Sequence, residues 1–213
     1  PEPRAHGTAV AGRLFGDYGY APHAQLYSAS VFYKRDAYQE GAATHSLIQA
    51  LDWLLQENVT VINMSLAGPP NALLELSLNT AATKGAIVVA AVGNEGPASP
   101  PLFPAAYPSV IGVTAVDDKA QIYRWAVQGK HVEIAAHGVG VRTARIGDSY
   151  GYESGTSMAA PMVTAYLAHL LYARALSHDQ ARQHLAKFAV DKGETGRDSV
   201  FGVGVLPRHS ALE

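Results

Sequence analysis

The sequence predicts an α/β domain built on a doubly wound, mainly parallel sheet with helices on both faces, and three observations lead there. From residue 24 onward, short β-branched runs alternate with helical patterns. One run, residues 86–92 (AIVVAAV), is continuously apolar, as a parallel strand covered on both faces must be. The 213 residues are 48% hydrophobic and no charged linker or low-complexity tract divides them, so residues 1–213 read as one domain.

Taken in order, residues 25–33 (QLYSASVFY) read as a strand. Residues 42–56 carry Leu47, Ile48, Leu51, Leu54 and Leu55 at helical spacing and read as an amphipathic helix. Residues 59–65 (VTVINMS) form the next strand, residues 72–83 a helix, and residues 86–92 the buried strand. The pairs Gly96-Pro97 and Pro100-Pro101 mark a turn-rich stretch before a strand at 110–116. Shorter strands fit 132–135 and 139–143. Helices at 157–175 and 178–190 close the chain, the second with Ser177 as its N-cap. Strand–helix–strand repeats of this kind pair in parallel through crossovers.

Composition removes several function classes. Sixteen Lys and Arg against 18 Asp and Glu give a net charge of -2, and only 16% of residues are charged, which argues against a nucleic-acid partner. No apolar run approaches the roughly 18 residues of a membrane span. The absence of Cys excludes disulfides, thiolate metal sites and a cysteine nucleophile, while leaving the compartment open. His23, His45, His131, His169, His178, His184 and His209 show no metal-ligand spacing, so neither metal nor cofactor is expected.

Three segments could carry chemistry. In His6-Gly7-Thr8-Ala9-Val10-Ala11-Gly12 a histidine leads a run of small residues suited to close helix packing. In Gly93-Asn94-Glu95-Gly96-Pro97 an Asn follows the buried strand, where its amide donors can reach the crevice in which open α/β sheets bind ligands. In Ser154-Gly155-Thr156-Ser157-Met158-Ala159-Ala160-Pro161, Ser157 falls where loop becomes helix, so an oxyanion beside it would meet unpaired N–H groups and the positive end of the dipole. Pro161 cannot donate to the Ser157 carbonyl, which makes that turn irregular. Each segment has a bland reading: a structural His, an Asn in a tight turn, a Ser or Thr N-cap.

Together and in this order, with VINMSLAGP from Val61 to Pro69 and FPAAYPSVIGVTAV from Phe103 to Val116, they resemble the subtilisin-like serine proteases. The resemblance implies a serine endopeptidase in which Ser157 is the nucleophile, His6 the general base, and Asn94 with the Ser157 N–H the oxyanion hole. It further implies that Ser65, Leu66, Ala67 and Gly68 pair with an extended peptide substrate, that Ala90, Ala91, Val92 and Gly93 wall the specificity pocket, and that Leu102 fills the pocket floor. A shallow apolar pocket follows, and the family implies a secreted or periplasmic location.

The pattern departs from the family in one central respect. The third catalytic residue of the family is an Asp on an inner strand before the His motif, and no such Asp precedes His6 here. Asp17, Asp36 and Asp52 fall in loop and helix segments and read as surface carboxylates. The inner strand belongs between residues 25–33 and 59–65, and its removal would leave two strand edges unpaired. An upstream segment, a separate polypeptide such as a propeptide, or a differently closed sheet would resolve this; the expectation is a segment upstream of Pro1. His137 replaces a frequent proline, and the loop after Gly12, with Asp17 its single carboxylate, indicates no tight calcium site. Two other functions stand against the protease. One is an inactive protease-fold binding or regulatory protein; the other is an α/β-hydrolase esterase using Ser157 with Asp191 or Asp198 and His209, although its nucleophile elbow lacks the last glycine.

Overall fold

The computed structural model of the protein describes residues 4–34, 40–173 and 175–208. Helix α1 (Ala5–Leu14) opens the chain, followed by the antiparallel pair β1 (Phe32–Lys34) and β2 (Glu40–Ala42) and by helix α2 (Thr44–Gln56). Strand β3 (Val61–Met64), helix α3 (Ala72–Thr83), and strands β4 (Ile87–Ala91), β5 (Val110–Val116) and β6 (Ile134–His137) come next. A hairpin of β7 (Val141–Arg145) and β8 (Ser149–Glu153) leads into helix α4 (Thr156–Ala173), and helix α5 (His178–Phe188) follows.

Strands β3 to β6 form a four-stranded parallel sheet in sequence order. Side chains on β4 alternate between two cores, which is why the run reads as continuously apolar. Val88 and Ala90 join Leu47, Leu51 and Leu54 of α2 and Leu74 and Leu78 of α3. Ile87, Val89 and Ala91 join Met162, Val163 and Leu167 of α4 and Leu185 of α5. Helices therefore cover both faces, as expected. Asn71 caps α3 through Leu73 and Leu74 N–H, and Ser177 and Gln180 form a capping box on α5.

The strand expected at 25–33 is confined to its last residues, and there it pairs antiparallel with β2 instead of joining the parallel sheet. Residues 24–31 carry no ladder, because a strand forms only beside a partner. Among the described residues β3 is bonded on one side alone, and its other edge faces a groove of about 860 Å³ that residues 24–32 also line. The β8 strand was not evident in the sequence, since Ser149, Tyr150 and Tyr152 lack a buried face. Helix α1 packs mainly on β7 and α4 and touches the central sheet through Arg13 at the His137 carbonyl, at the end of β6. A Cβ on Gly12 would stand 2.6 Å from the Ala144 backbone nitrogen, so the helix can lie this close only with glycine there.

Candidate active site

Three elements deliver three polar groups to the groove. His6 lies in the first turn of α1, Asn94 follows β4 at its carboxyl end, and Ser157 is the second residue of α4; all three line the same groove. Asn94 is held in a fixed orientation, because its Oδ1 accepts from both the Thr156 N–H and the Thr156 hydroxyl at 3.0 Å. The Thr156 hydroxyl in turn accepts from the Gly93 N–H at 3.2 Å. With its oxygen occupied, Asn94 keeps the two N–H donors of Nδ2 for another acceptor.

The turn carrying Ser157 is supported from below. Pro161 removes the N–H that would bond the Ser157 carbonyl, yet α4 runs through it. The Ser65 hydroxyl donates to that carbonyl instead at 2.9 Å, and Asn63 Nδ2 donates to Ser65 Oγ at 2.9 Å. Asn63 Oδ1 accepts from the Thr164 hydroxyl at 3.1 Å, so the relay begins and ends on α4. The helix break implied by Pro161 is thus satisfied by a side chain from the end of β3.

The subtilase family model matches residues 1–204. This chain belongs to the subtilase family. It is 36% identical over 211 residues to the minor extracellular protease Epr of Bacillus subtilis, covering 94% of this chain and 32% of Epr. It is 35% identical over 214 residues to subtilisin BL of Lederbergia lenta, covering 97% of this chain and 77% of that protein. Among solved structures, sphericase superposes with a TM-score of 0.84 at 27% identity, covering 96% of this chain and 77% of sphericase. The chain thus spans about a third of Epr's length and about three quarters of that of subtilisin BL.

Within this subtilase the other predicted contacts separate. Ser65, Leu66, Ala67, Ala91 and Gly93 line the groove with His6, Asn94 and Ser157. Gly68 is already engaged, its N–H donating to the Phe103 carbonyl and its own carbonyl accepting from the Phe103 N–H, so the open edge runs from Ser65 to Ala67. Ala90 and Val92 are buried in the α2–α3 core. Leu102 reaches Gly93: a Cβ on that glycine, whose φ is +106°, would stand 2.6 Å from Leu102 Cδ1 and 2.7 Å from Glu95 Oε2. Glu95 thus sets a carboxylate beside Gly93, at a position next to Asn94 that the sequence reading did not single out.

The remaining acids have other tasks. Asp17 accepts from the Tyr150 hydroxyl at 3.0 Å, which raises the Tyr150 pKa, and Asp52 accepts from Gln56 at 2.7 Å. Asp198 accepts from the Glu194, Val200 and Phe201 N–H groups and Asp191 from Gly196, so both shape the chain after α5. Asp36 and His209 lie outside the described residues. No group of three His, Asp or Glu is arranged to hold a metal among the described residues.

Proposed function

We propose that the chain supplies the nucleophile, general base and oxyanion donor of a serine endopeptidase acting on extended peptide or protein substrates outside the cytoplasm. Ser157 Oγ attacks the scissile carbonyl while His6 takes its proton, and Asn94 Nδ2 with the Ser157 N–H stabilises the oxyanion. Collapse expels the amine, protonated by His6, and leaves an acyl group on Ser157. Water, deprotonated by His6, then releases it. Substrate backbone pairs along Ser65 to Ala67 as an added strand, which selects extended segments of varied sequence. The extracellular location takes its support from the name of Epr.

The observation that carries this reading is the fixing of Asn94 by Thr156, one residue before Ser157. An Asn serving only a turn has no need of two bonds that occupy its oxygen and leave its amide donors unspent beside a groove shared with a His and a Ser. The groove along the β3 edge supports the accompanying proposal that a further strand, carrying the carboxylate that orients His6, seats there from outside the described residues. Labelling of the full-length protein with a fluorophosphonate and mapping of the adduct tests the assignment. The adduct is expected on Ser157. An adduct on another serine of an active preparation rejects it, and an unreactive full-length protein favours the binding or regulatory reading.

A further inference from the structure

Helix α1 carries His6 but has no place in the central sheet, so its position depends on side chains and close contacts. Thr143 donates its hydroxyl to the Ala9 carbonyl at 2.6 Å, and Gly12 lies against Ala144. Ala9 also packs with Val141 and Met158. These contacts set how deep the helix sits. They leave much of its placement along α4 unset, since apolar contacts are non-directional and the one hydroxyl bond fixes a single point of α1 against β7.

Arg13 is the group that addresses sliding. It is only 4% exposed, an unusual state for an arginine, and it stands in the last turn of a helix whose other residues, His6 apart, are small or apolar. Its Nε donates to the Met158 carbonyl at 3.4 Å, and its Nη2 donates to the His137 carbonyl at 3.3 Å and to the Tyr20 hydroxyl at 3.2 Å. The Tyr20 ring lies 4.7 Å from the guanidinium carbon. These partners are carbonyl and phenol oxygens and an aromatic face, without a carboxylate among the described residues. A buried cation satisfied this way contributes little net stability, so its value lies in geometry.

That geometry joins the two halves of the site. Met158 directly follows Ser157, and the Ser157 carbonyl is already held by Ser65. Successive carbonyls of the first turn of α4 are therefore gripped from outside the helix, one from β3 and one from α1. Arg13 lies seven residues after His6, and Ala9 three after it, so the three occupy one stripe of α1. Two turns of helix, about 10.5 Å, separate the guanidinium anchor from the histidine. Any slip at Arg13 is transmitted along this rod to His6.

We propose that Arg13 is a positioning residue that locks the His6 helix to the Ser157 helix by bridging Met158, His137 and Tyr20. The inference rests on the protease reading above. The planar fork is essential, because a lysine ammonium cannot span the three acceptors in fixed directions. The test compares Arg13→Lys and Arg13→Met in the full-length protein, with kcat referred to the amount of Ser157 titrated by a fluorophosphonate. Both variants should lose about tenfold or more in kcat per titrated serine with KM within about twofold, because a misplacement near 1 Å costs about 10²-fold. A lowered thermal midpoint with wild-type kcat per titrated serine, in either variant, overturns the proposal and leaves Arg13 a packing residue. If Arg13→Met yields no folded protein, Arg13→Lys, which keeps the charge and most of the volume, decides alone. Hydrogen exchange of the α1 amides reads the lock without catalysis. Faster exchange confined to the α1 amides in Arg13→Lys, with α5 exchange unchanged, supports it even in a protein whose Ser157 does not react, a result that would remove the protease reading alone; exchange that is unchanged, or faster throughout the fold, overturns it.

Discussion

At the residue scale, Asn94 and Leu102 carry separate expectations. Asn94→Ala should lower kcat by about 10²–10³-fold with little change in KM, the loss established for removing such a donor in subtilisin itself. A loss confined to KM would move Asn94 into substrate binding. Leu102 lies against Gly93 beside the predicted pocket, so Leu102→Gly should shift preference toward bulkier residues before the scissile bond. A substrate-library profile unchanged by that substitution would remove Leu102 from the pocket. The Ser65 hydroxyl offers a third case, because it answers the donor missing at Pro161. Ser65→Ala should destabilise by about 1 kcal/mol, the cost of a half-buried carbonyl left without its donor, and denaturant unfolding measures it.

At the element scale, α1 and α5 are fastened by different physics. Helix α5 is closed by its own sequence: the Ser177 hydroxyl accepts from Gln180 N–H at 3.2 Å and Gln180 Oε1 accepts from Ser177 N–H at 2.8 Å. Ser177→Ala should cost about 1 kcal/mol, read as a lowered unfolding midpoint with activity per folded molecule intact. Helix α1 has no side-chain cap and takes its place from close approach at Gly12. Gly12→Val would drive a branched side chain into the Ala144 backbone. That costs about 1–3 kcal/mol or more by overpacking, and it should reduce activity as well, because α1 carries His6. Stability loss without activity loss would show that the position of α1 does not control the histidine.

For the whole molecule, three histidines weaken the fold as the pH falls. Burial lowers the pKa of His131 and His178, and burial together with the Arg13 charge lowers that of His137 to about 4. The Asp118 carboxylate lies 2.8 Å from His137 Nε2, but it is exposed and also pairs with Arg208, so it does not hold a proton on the ring. The native state therefore binds protons more weakly than the unfolded chain. Stability contributed by these rings is complete above their unfolded pKa near 6.5 and is lost as pH falls below it, for His137 toward about 4. Urea midpoints across that range should decline with acidification, and His137→Asn should flatten the decline. The open β3 edge acts at the same scale. A peptide carrying an added strand with a carboxylate, fused to or mixed with residues 1–213, should raise both turnover and thermal midpoint, and unchanged values would remove the added strand from the mechanism.

The sequence by itself determined the parallel core, because each strand of it is an apolar run bounded by turn residues and α3 and β5 are local patterns needing no distant partner. It also singled out the three segments around His6, Asn94 and Ser157, though only the fold brings those residues to line one groove. Residues 25–33 show where local pattern fails: their β-branched content is the same with or without a neighbour, and only the neighbour's backbone makes them a strand. Arg13, Asn63, Thr164 and Glu95 were silent in the sequence for a related reason. Each acts on a group 2 to 145 positions away: Glu95 on Gly93, Asn63 on Ser65 and Thr164, and Arg13 on Met158. No periodicity records such a pairing, and tertiary packing alone decided that one arginine of α1 would hold the turn after the serine.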